Sequence, residues 1–211
     1  MKIKNIVFDL GGVIMTIDQP AAVKRFTELG LTDAEQRLDP YTQAGFFGDL
    51  EEGSITAEEF RQQLSQAVGG ELTLDQCEYA WRGYVREVPP RNLKMLETLR
   101  DRGFRLILLS NTNPFMMHWA LSPRFSGDGH SLADYFDALY LSFREKVMKP
   151  SERIYRKMLI GEHIFPDETL FVDDSPRNVA AASELGIHTF CPENGSDWTR
   201  EIMAEIEAIK E

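Results

Sequence analysis

IKNIVFDLGG, residues 3–12, joins a short apolar run to an acidic residue and two glycines. Ile6, Val7 and Phe8 form the run, and Asp9 follows it directly. An apolar run of this length, closed by small residues, is typical of a strand that is buried on both faces of a parallel sheet. We therefore expect a strand over residues 3–10 that presents Asp9 at its carboxyl end.

Two later segments repeat this pattern. FRLILL at 104–109 runs into Ser110, and TLFV at 169–172 runs into Asp173 and Asp174. Helix-like segments at 91–102 and 175–185 are each followed by glycine, a common helix stop. The alternation of strand and helix predicts an α/β fold with a Rossmann-like, three-layer parallel sheet core. Because ligands bind beyond the carboxyl ends of such strands, Asp9, Ser110 and Asp174 should meet in one crevice.

The segment 18–90 differs from its surroundings. It has helical periodicity at 21–29, 56–68 and 73–85 and no convincing strand. We interpret it as an inserted α-helical cap domain after the first strand, which leaves 1–17 and 91–211 as the core. Asp18 is placed to cap the first cap helix, and Pro89-Pro90 marks the end of the insertion.

The composition narrows the function classes. Hydrophobic residues make up 43% and charged residues 27% of the 211 residues, as in ordinary globular proteins. The net charge of -11 argues against nucleic acid or anionic membranes as partners. No apolar run is long enough to span a membrane, and the N-terminus lacks the features of a signal peptide. With only two widely spaced cysteines, Cys77 and Cys191, we expect a cytoplasmic protein.

Four short motifs, in order along nearly the whole chain, carry a family resemblance. They are FDLGGVI at 8–14, Ser110-Asn111, Lys149-Pro150 and FVDDS at 171–175. This ordered set resembles the four motifs of the haloacid dehalogenase-like hydrolases. The resemblance implies that Asp9 is a nucleophile that attacks a phosphate ester.

The resemblance also implies a division of roles around a magnesium ion. Mg²⁺ prefers oxygen ligands and would offset negative charge as a phosphate dianion is attacked. The expected metal ligands are Asp9, Asp174 and the backbone carbonyl of Gly11. Lys149 would be catalytic, because its charge would lie against both Asp9 and the phosphoryl oxygens, and the Ser110 hydroxyl and the Asn111 amide hydrogen would add neutral donors. Asp173 and Asn178 are further candidates, for orienting the waters on the metal.

One position departs from the family pattern. Most phosphatases of this family have a second aspartate two residues after the nucleophile, as the general acid and base, and Gly11 stands there. A subgroup with a similar Asp-Leu-Gly motif resembles glucose-1-phosphate phosphatase and the amino-terminal domain of soluble epoxide hydrolases. Asp18 or a bound water is a candidate substitute for the missing acid.

We therefore expect a Mg²⁺-dependent phosphatase that hydrolyses a small phosphate monoester, such as a sugar phosphate, through an aspartyl-phosphate. Two alternatives stay open at this point: a haloacid dehalogenase, and an inactive protein that binds a phosphorylated metabolite. The expected partner is a small phosphorylated metabolite, and the expected assembly is a monomer or small homo-oligomer. We expect the aromatic residues Phe46, Phe47 and Trp81 to pack within the cap.

Overall fold

The first strand of the chain lies at the centre of a five-stranded sheet. The computed structural model of the protein describes residues 3–39, 43 and 45–209. Within these ranges the strands are β1 (Asn5–Phe8), β2 (Thr16–Ile17), β3 (Val85–Glu87), β4 (Arg105–Ser110), β5 (Ala138–Leu141), β6 (Thr169–Val172) and β7 (His188–Phe190). The main sheet has the order β5-β4-β1-β6-β7. All neighbouring strands in it are parallel, as predicted.

The register of the three central strands aligns their carboxyl ends. Phe8, the last residue of β1, pairs with Leu108 of β4 and Val172 of β6. The Asp9 amide then donates to the Val172 carbonyl at 2.9 Å. Residues that follow these strands are therefore neighbours at one edge of the sheet.

Helices cover both faces of this sheet. The described helices are α1 (Gln19–Glu28), α2 (Ala34–Arg37), α3 (Phe46–Glu52), α4 (Ala57–Val68), α5 (Leu74–Trp81), α6 (Pro90–Asp101), α7 (Pro114–Ala120), α8 (Ser142–Glu145), α9 (Glu152–Glu162), α10 (Pro176–Glu184) and α11 (Ile202–Ala208). Ile6 and Phe8 face one buried cluster, and Val7 faces another together with Tyr155 of α9 and Ala182 of α10. Alternate residues of β1 thus face opposite layers, which confirms the three-layer α/β core.

Helices α1 to α5 fall within the segment predicted to form the cap. Their aromatic rings pack against one another: the centroids of Phe26 and Phe47 lie 5.1 Å apart, those of Phe47 and Phe60 5.0 Å, and those of Phe60 and Trp81 5.8 Å. These rings belong to the same buried cluster as Phe8 of the sheet. The division of the chain into 1–17 with 91–211 and 18–90 stays a prediction.

The predicted helix over 73–85 is wrong in its last turn, and so is the absence of strands from 18–90. Helix α5 ends at Trp81, a short 3₁₀ turn follows, and β3 pairs antiparallel with β2. The prediction ran too far because Trp81, Tyr84 and Val85 have the spacing of one helix face. The apolar periodicity of α5 therefore continues across the turn that follows it. A Cβ atom on Gly83 would lie 2.5 Å from the Ala22 Cα, so the turn packs directly on the backbone of α1.

The first helix begins as predicted. The Asp18 carboxylate accepts a hydrogen bond from the Ala21 amide at 3.0 Å and caps α1. Among the described residues, no helix combines the length and the apolar character that crossing a membrane requires.

Candidate active site

Three carboxylates meet where β1 and β6 end. Asp9 follows β1, and Asp173 and Asp174 follow β6. Each can contribute one oxygen to a group whose members all lie within 4.8 Å of one another. The aligned register of the two strands brings these acids together across more than 160 positions of sequence.

Lys149 reaches this group from the segment that precedes α9. Its Nζ lies 2.6 Å from Asp173 Oδ2 and 3.0 Å from Asp9 Oδ2, and its side chain is fully buried. Burial by itself would lower the pKa of Lys149, but the charges of Asp173 and Asp9 outweigh it and raise the pKa. The lysine is therefore held as a cation between two carboxylates.

Asp173 and Asp174 have different surroundings. Besides Lys149, the Asp173 carboxylate accepts from the Ser175 amide at 2.8 Å and from Asn178 Nδ2 at 3.1 Å. Asp174 Oδ2 is buried and has no hydrogen-bond partner among the described residues. Asp173 therefore holds the lysine and the start of α10 in place, while Asp174 keeps an oxygen available to a ligand.

Gly12 permits this position of Asp174. It has a φ of +76°, and a Cβ there would lie 2.1 Å from Asp174 Oδ2. A side chain would collide with the carboxylate and would also be strained in the left-handed region. The second glycine of the first motif is thus needed for close approach between the loop after β1 and the acid after β6.

The acids carry more negative charge than their surroundings neutralise. Burial, opposed by the charge of Lys149, raises the pKa of Asp9 to about 7. Burial, together with the charge of Asp9, raises the pKa of Asp174 to about 8. A hard divalent cation fits this site, because it would pair with the unpartnered oxygen and relieve the repulsion between the acids.

The residues after β4 hold the lysine segment. Asn111 Nδ2 donates to the Lys149 carbonyl at 3.0 Å, and the Lys149 amide donates to Asn111 Oδ1 at 2.9 Å. The Ser110 hydroxyl makes a 3.3 Å contact with the Asn111 carbonyl. The Asn111 side chain thus positions Lys149.

A cavity opens above these strand ends. Among the described residues, seven of the predicted ones line it: Asp9, Gly11, Ser110, Asn111, Lys149, Asp174 and Asn178. Asp173 is not among the lining residues, but it forms an ion pair with Lys149, which is one of them. Asp18 is not among the lining residues, and its carboxylate caps α1 instead.

Sequence reasoning missed several other residues that line the cavity. They come from 43–84 and from the turn before α7: Gln43, Glu51, Trp81, Tyr84 and Asn113. Trp81 was assigned to packing, and it both packs and lines the cavity. For Glu51 a signal existed, because helical spacing puts it on the buried face of α3 with Phe47 and Leu50.

Comparison with known proteins places the chain in a family. A model of the haloacid dehalogenase-like hydrolases matches residues 3–186. The chain belongs to this family. It is 50% identical, over 95% of its length and 97% of the relative's, to a D-ribitol-5-phosphate phosphatase from Bacteroides thetaiotaomicron. The resemblance in the four motifs is therefore confirmed.

Two solved structures share the whole fold. A predicted haloacid dehalogenase-like hydrolase from Porphyromonas gingivalis is 43% identical, with a TM-score of 0.92 over 97% of this chain and 98% of that one. A family enzyme from Bacteroides thetaiotaomicron, solved with magnesium and inorganic phosphate, is 33% identical, with a TM-score of 0.85 over 94% and 98%. Both cover the core and the helices of 18–90.

Proposed function

We propose that this protein is a Mg²⁺-dependent phosphatase that hydrolyses a small phosphate monoester through an aspartyl-phosphate on Asp9. The observation that carries the proposal is the buried, unpartnered Oδ2 of Asp174 within the group of acids around Asp9. A cation there would convert an unfavourable cluster of charge into a binding site for a phosphate dianion. The phosphatase relative and the magnesium and phosphate complex of the family enzyme support the same conclusion.

We assign the roles as the geometry allows. Asp9 attacks phosphorus, and Asp174, Asp9 and the Gly11 carbonyl would hold Mg²⁺. Bound there, Mg²⁺ would offset the charge that builds up on the phosphoryl oxygens. The Lys149 ammonium, which lies 3.0 Å from Asp9 Oδ2, orients the nucleophile and binds a phosphoryl oxygen. Ser110 and the Asn111 backbone amide add neutral donors, and Asn178, beside Asp173, orients water on the metal.

We propose a sugar or sugar-alcohol phosphate as the substrate. Support comes from the relative that acts on D-ribitol 5-phosphate. It also comes from two residues that line the cavity, since Trp81 Nε1 and Asn113 Nδ2 are buried and lack partners among the described residues. Buried donors of this kind match the hydroxyl groups of a polyol chain.

We place the protein in the cytoplasm, as a monomer or small homo-oligomer that binds a small phosphorylated metabolite. Both cysteines are free thiols, Cys77 buried and Cys191 exposed, which suits a reducing compartment. The acidic surface favours neither nucleic acid nor an anionic membrane as a partner.

Release of inorganic phosphate from a panel of sugar and sugar-alcohol phosphates, with and without Mg²⁺, tests this function. We expect Mg²⁺-dependent release that is abolished in Asp9→Asn and retained in Asp101→Asn, an exposed control on α6. Halide release from a haloacid without added metal would indicate a dehalogenase instead. Wild-type turnover by Asp9→Asn would refute the assignment of the nucleophile.

A further inference from the structure

The loop after β1 lacks a proton donor for the leaving group. A Cβ on Gly11 would meet Ile17 Cδ1 at 3.6 Å and Met15 Cε at 3.9 Å, so the position faces apolar side chains. An alkoxide is a poor leaving group, and its departure is fast only when a positioned acid protonates it. With Asp18 engaged as the cap of α1, the candidates that remain are a bound water and another side chain of the cavity wall.

The cavity offers few ionisable side chains for this role. Among the described residues that line it, they are Asp9, Glu51, Tyr84, Lys149 and Asp174. Asp9, Lys149 and Asp174 already serve the metal and the phosphoryl group. The Tyr84 hydroxyl donates toward the Asp39 carbonyl and Gln43 Oε1, each at 3.2 Å, and burial raises its pKa. Glu51 is the carboxyl group that remains.

Glu51 is held rigidly against the core. Its carbonyl accepts from the Ser142 hydroxyl at 2.6 Å, and Ser142 Oγ also accepts from the Thr112 amide at 2.9 Å in the loop that follows β4. A Cβ on Gly53, just after α3, would lie 2.1 Å from the Phe143 carbonyl oxygen. The end of α3 is thus fixed beside the loop that carries the phosphate-binding residues.

The carboxyl group of Glu51 is buried but lines the cavity. The residue is 8% exposed. The Asn113 amide lies beside it and lowers its pKa in part, yet Asn113 Nδ2 makes no hydrogen bond of normal geometry within the described ranges. Burial, with a contribution from the charge of Asp9, raises the pKa of Glu51 to about 8. The raised pKa favours the protonated form that a general acid needs.

We propose that Glu51 is the general acid and base that takes the place of the aspartate missing at position 11. The inference rests on the proposed phosphatase function. As Asp9 forms its bond to phosphorus, the bond to the ester oxygen breaks, and the Glu51 proton passes to that oxygen. The Glu51 carboxylate then takes a proton from the attacking water. The bond from phosphorus to Asp9 breaks, which releases phosphate and restores both carboxyl groups.

Two esters that differ in their leaving groups test this role in the Mg²⁺-loaded enzyme. The first is an alkyl phosphate, D-ribitol 5-phosphate or the best substrate of the panel above. The second is 4-nitrophenyl phosphate, whose phenolate departs without a proton. Glu51→Gln keeps the side-chain shape, and exposed Glu52→Gln on the same helix is the matched control. Mg²⁺ affinity, which the substitution should leave unchanged, verifies the fold.

We expect Glu51→Gln to lower kcat on the alkyl ester by about 10²- to 10⁴-fold. On 4-nitrophenyl phosphate it should release a rapid burst of one phenolate per enzyme at the wild-type rate, followed by slow turnover, because the second step lacks its base. Glu52→Gln should match the wild type on both esters. If Glu51→Gln does not fold, Glu51→Asp, which keeps an acid with a shorter reach, should show a smaller loss, and its loss in the first step should be confined to the alkyl ester.

Equal loss of the first-step rate on both esters, or wild-type turnover on the alkyl ester, would overturn the role of Glu51. Phosphate release by the wild-type enzyme distinguishes failure of the Glu51 role from failure of the proposed phosphatase function. If the wild type releases no phosphate from any ester, the phosphatase function fails, and the inference fails with it.

Discussion

Gly12 is a residue whose lack of a side chain allows Asp174 its observed position. Gly12→Ala would force a methyl group onto Asp174 Oδ2, 2.1 Å away, at a φ of +76°. We expect Mg²⁺ affinity, measured by calorimetry, to fall by about 10- to 100-fold, as when a supporting contact of a metal ligand is lost. The carboxylate must move to admit the methyl group.

Gly69→Ala is the matched control for backbone strain. Gly69 has a φ of +71°, and nothing lies within 4 Å of a Cβ there. This substitution should cost about 1 to 2 kcal/mol of stability and leave Mg²⁺ affinity unchanged. Equal Mg²⁺ affinity in Gly12→Ala and the wild type would show that Asp174 does not need its observed position.

Gly11 differs from Gly12, because an added side chain meets only ordinary contacts there. If Glu51 replaces the missing aspartate, Gly11→Asp in a Glu51→Gln background should restore kcat on the alkyl ester by about tenfold or more, as a second acid does in general acid catalysis. Steady-state phosphate release measures the recovery. A double variant no faster than Glu51→Gln alone would contradict this functional equivalence.

Helix α3 is an element of the segment 18–90 that bonds to the residue after β5 and, through it, to the loop after β4. Ser142→Ala would remove the hydroxyl that bonds the Glu51 carbonyl and the Thr112 amide. We expect the free energy of unfolding to fall by about 1 to 3 kcal/mol, because two buried groups lose a partner. We also expect a lower kcat, because Glu51 loses its anchor. Urea unfolding and steady-state kinetics measure the two effects.

The control for this element is Ser54→Ala, an exposed serine just beyond α3. It should leave both quantities near their wild-type values. If Ser142→Ala lowered stability but left kcat unchanged on the alkyl ester, the position of Glu51 would not depend on this anchor.

Elements with strong local signals could be predicted from the sequence. Strand β1 is an apolar run followed by an acid. The run predicted its burial, and the position of Asp9 followed because ligand sites lie beyond the carboxyl ends of parallel strands. Strands β5 and β7 lie at the sheet edges and are only partly buried, and their short segments carry no comparable pattern. Glu51 reaches the site through packing against residues some 60 to 90 positions later in the chain, which no local pattern encodes.

At the scale of the whole molecule, the acid cluster should make stability depend on pH and on Mg²⁺ together. Burial raises the pKa of Asp9 to about 7 and that of Asp174 to about 8, above their unfolded values. Without metal, the folded state holds more protons than the unfolded one from about pH 4 to 8, so this contribution to stability is lost as pH rises through that window. Mg²⁺ held by the deprotonated acids, as we propose, should offset the loss.

We therefore expect the Tm difference between samples with and without Mg²⁺ to widen from about pH 5 to about pH 8. Differential scanning calorimetry at matched ionic strength measures this Tm difference. Titrating groups that Mg²⁺ does not contact affect both samples equally, so their contributions to Tm cancel. A gap that is constant with pH, or that narrows as pH rises, would mean that these acids do not bind the metal.

The most direct test of whether Asp9 and Asp174, which are far apart in the sequence, share a cation is a calorimetric titration. Mg²⁺ is titrated into the wild type, Asp9→Asn and Asp174→Asn. Asp101→Asn, exposed on α6, is the control. We predict one Mg²⁺ per chain in the wild type and the control, with binding lost or greatly weakened in both site variants. Wild-type Mg²⁺ affinity in Asp9→Asn and Asp174→Asn would contradict the account.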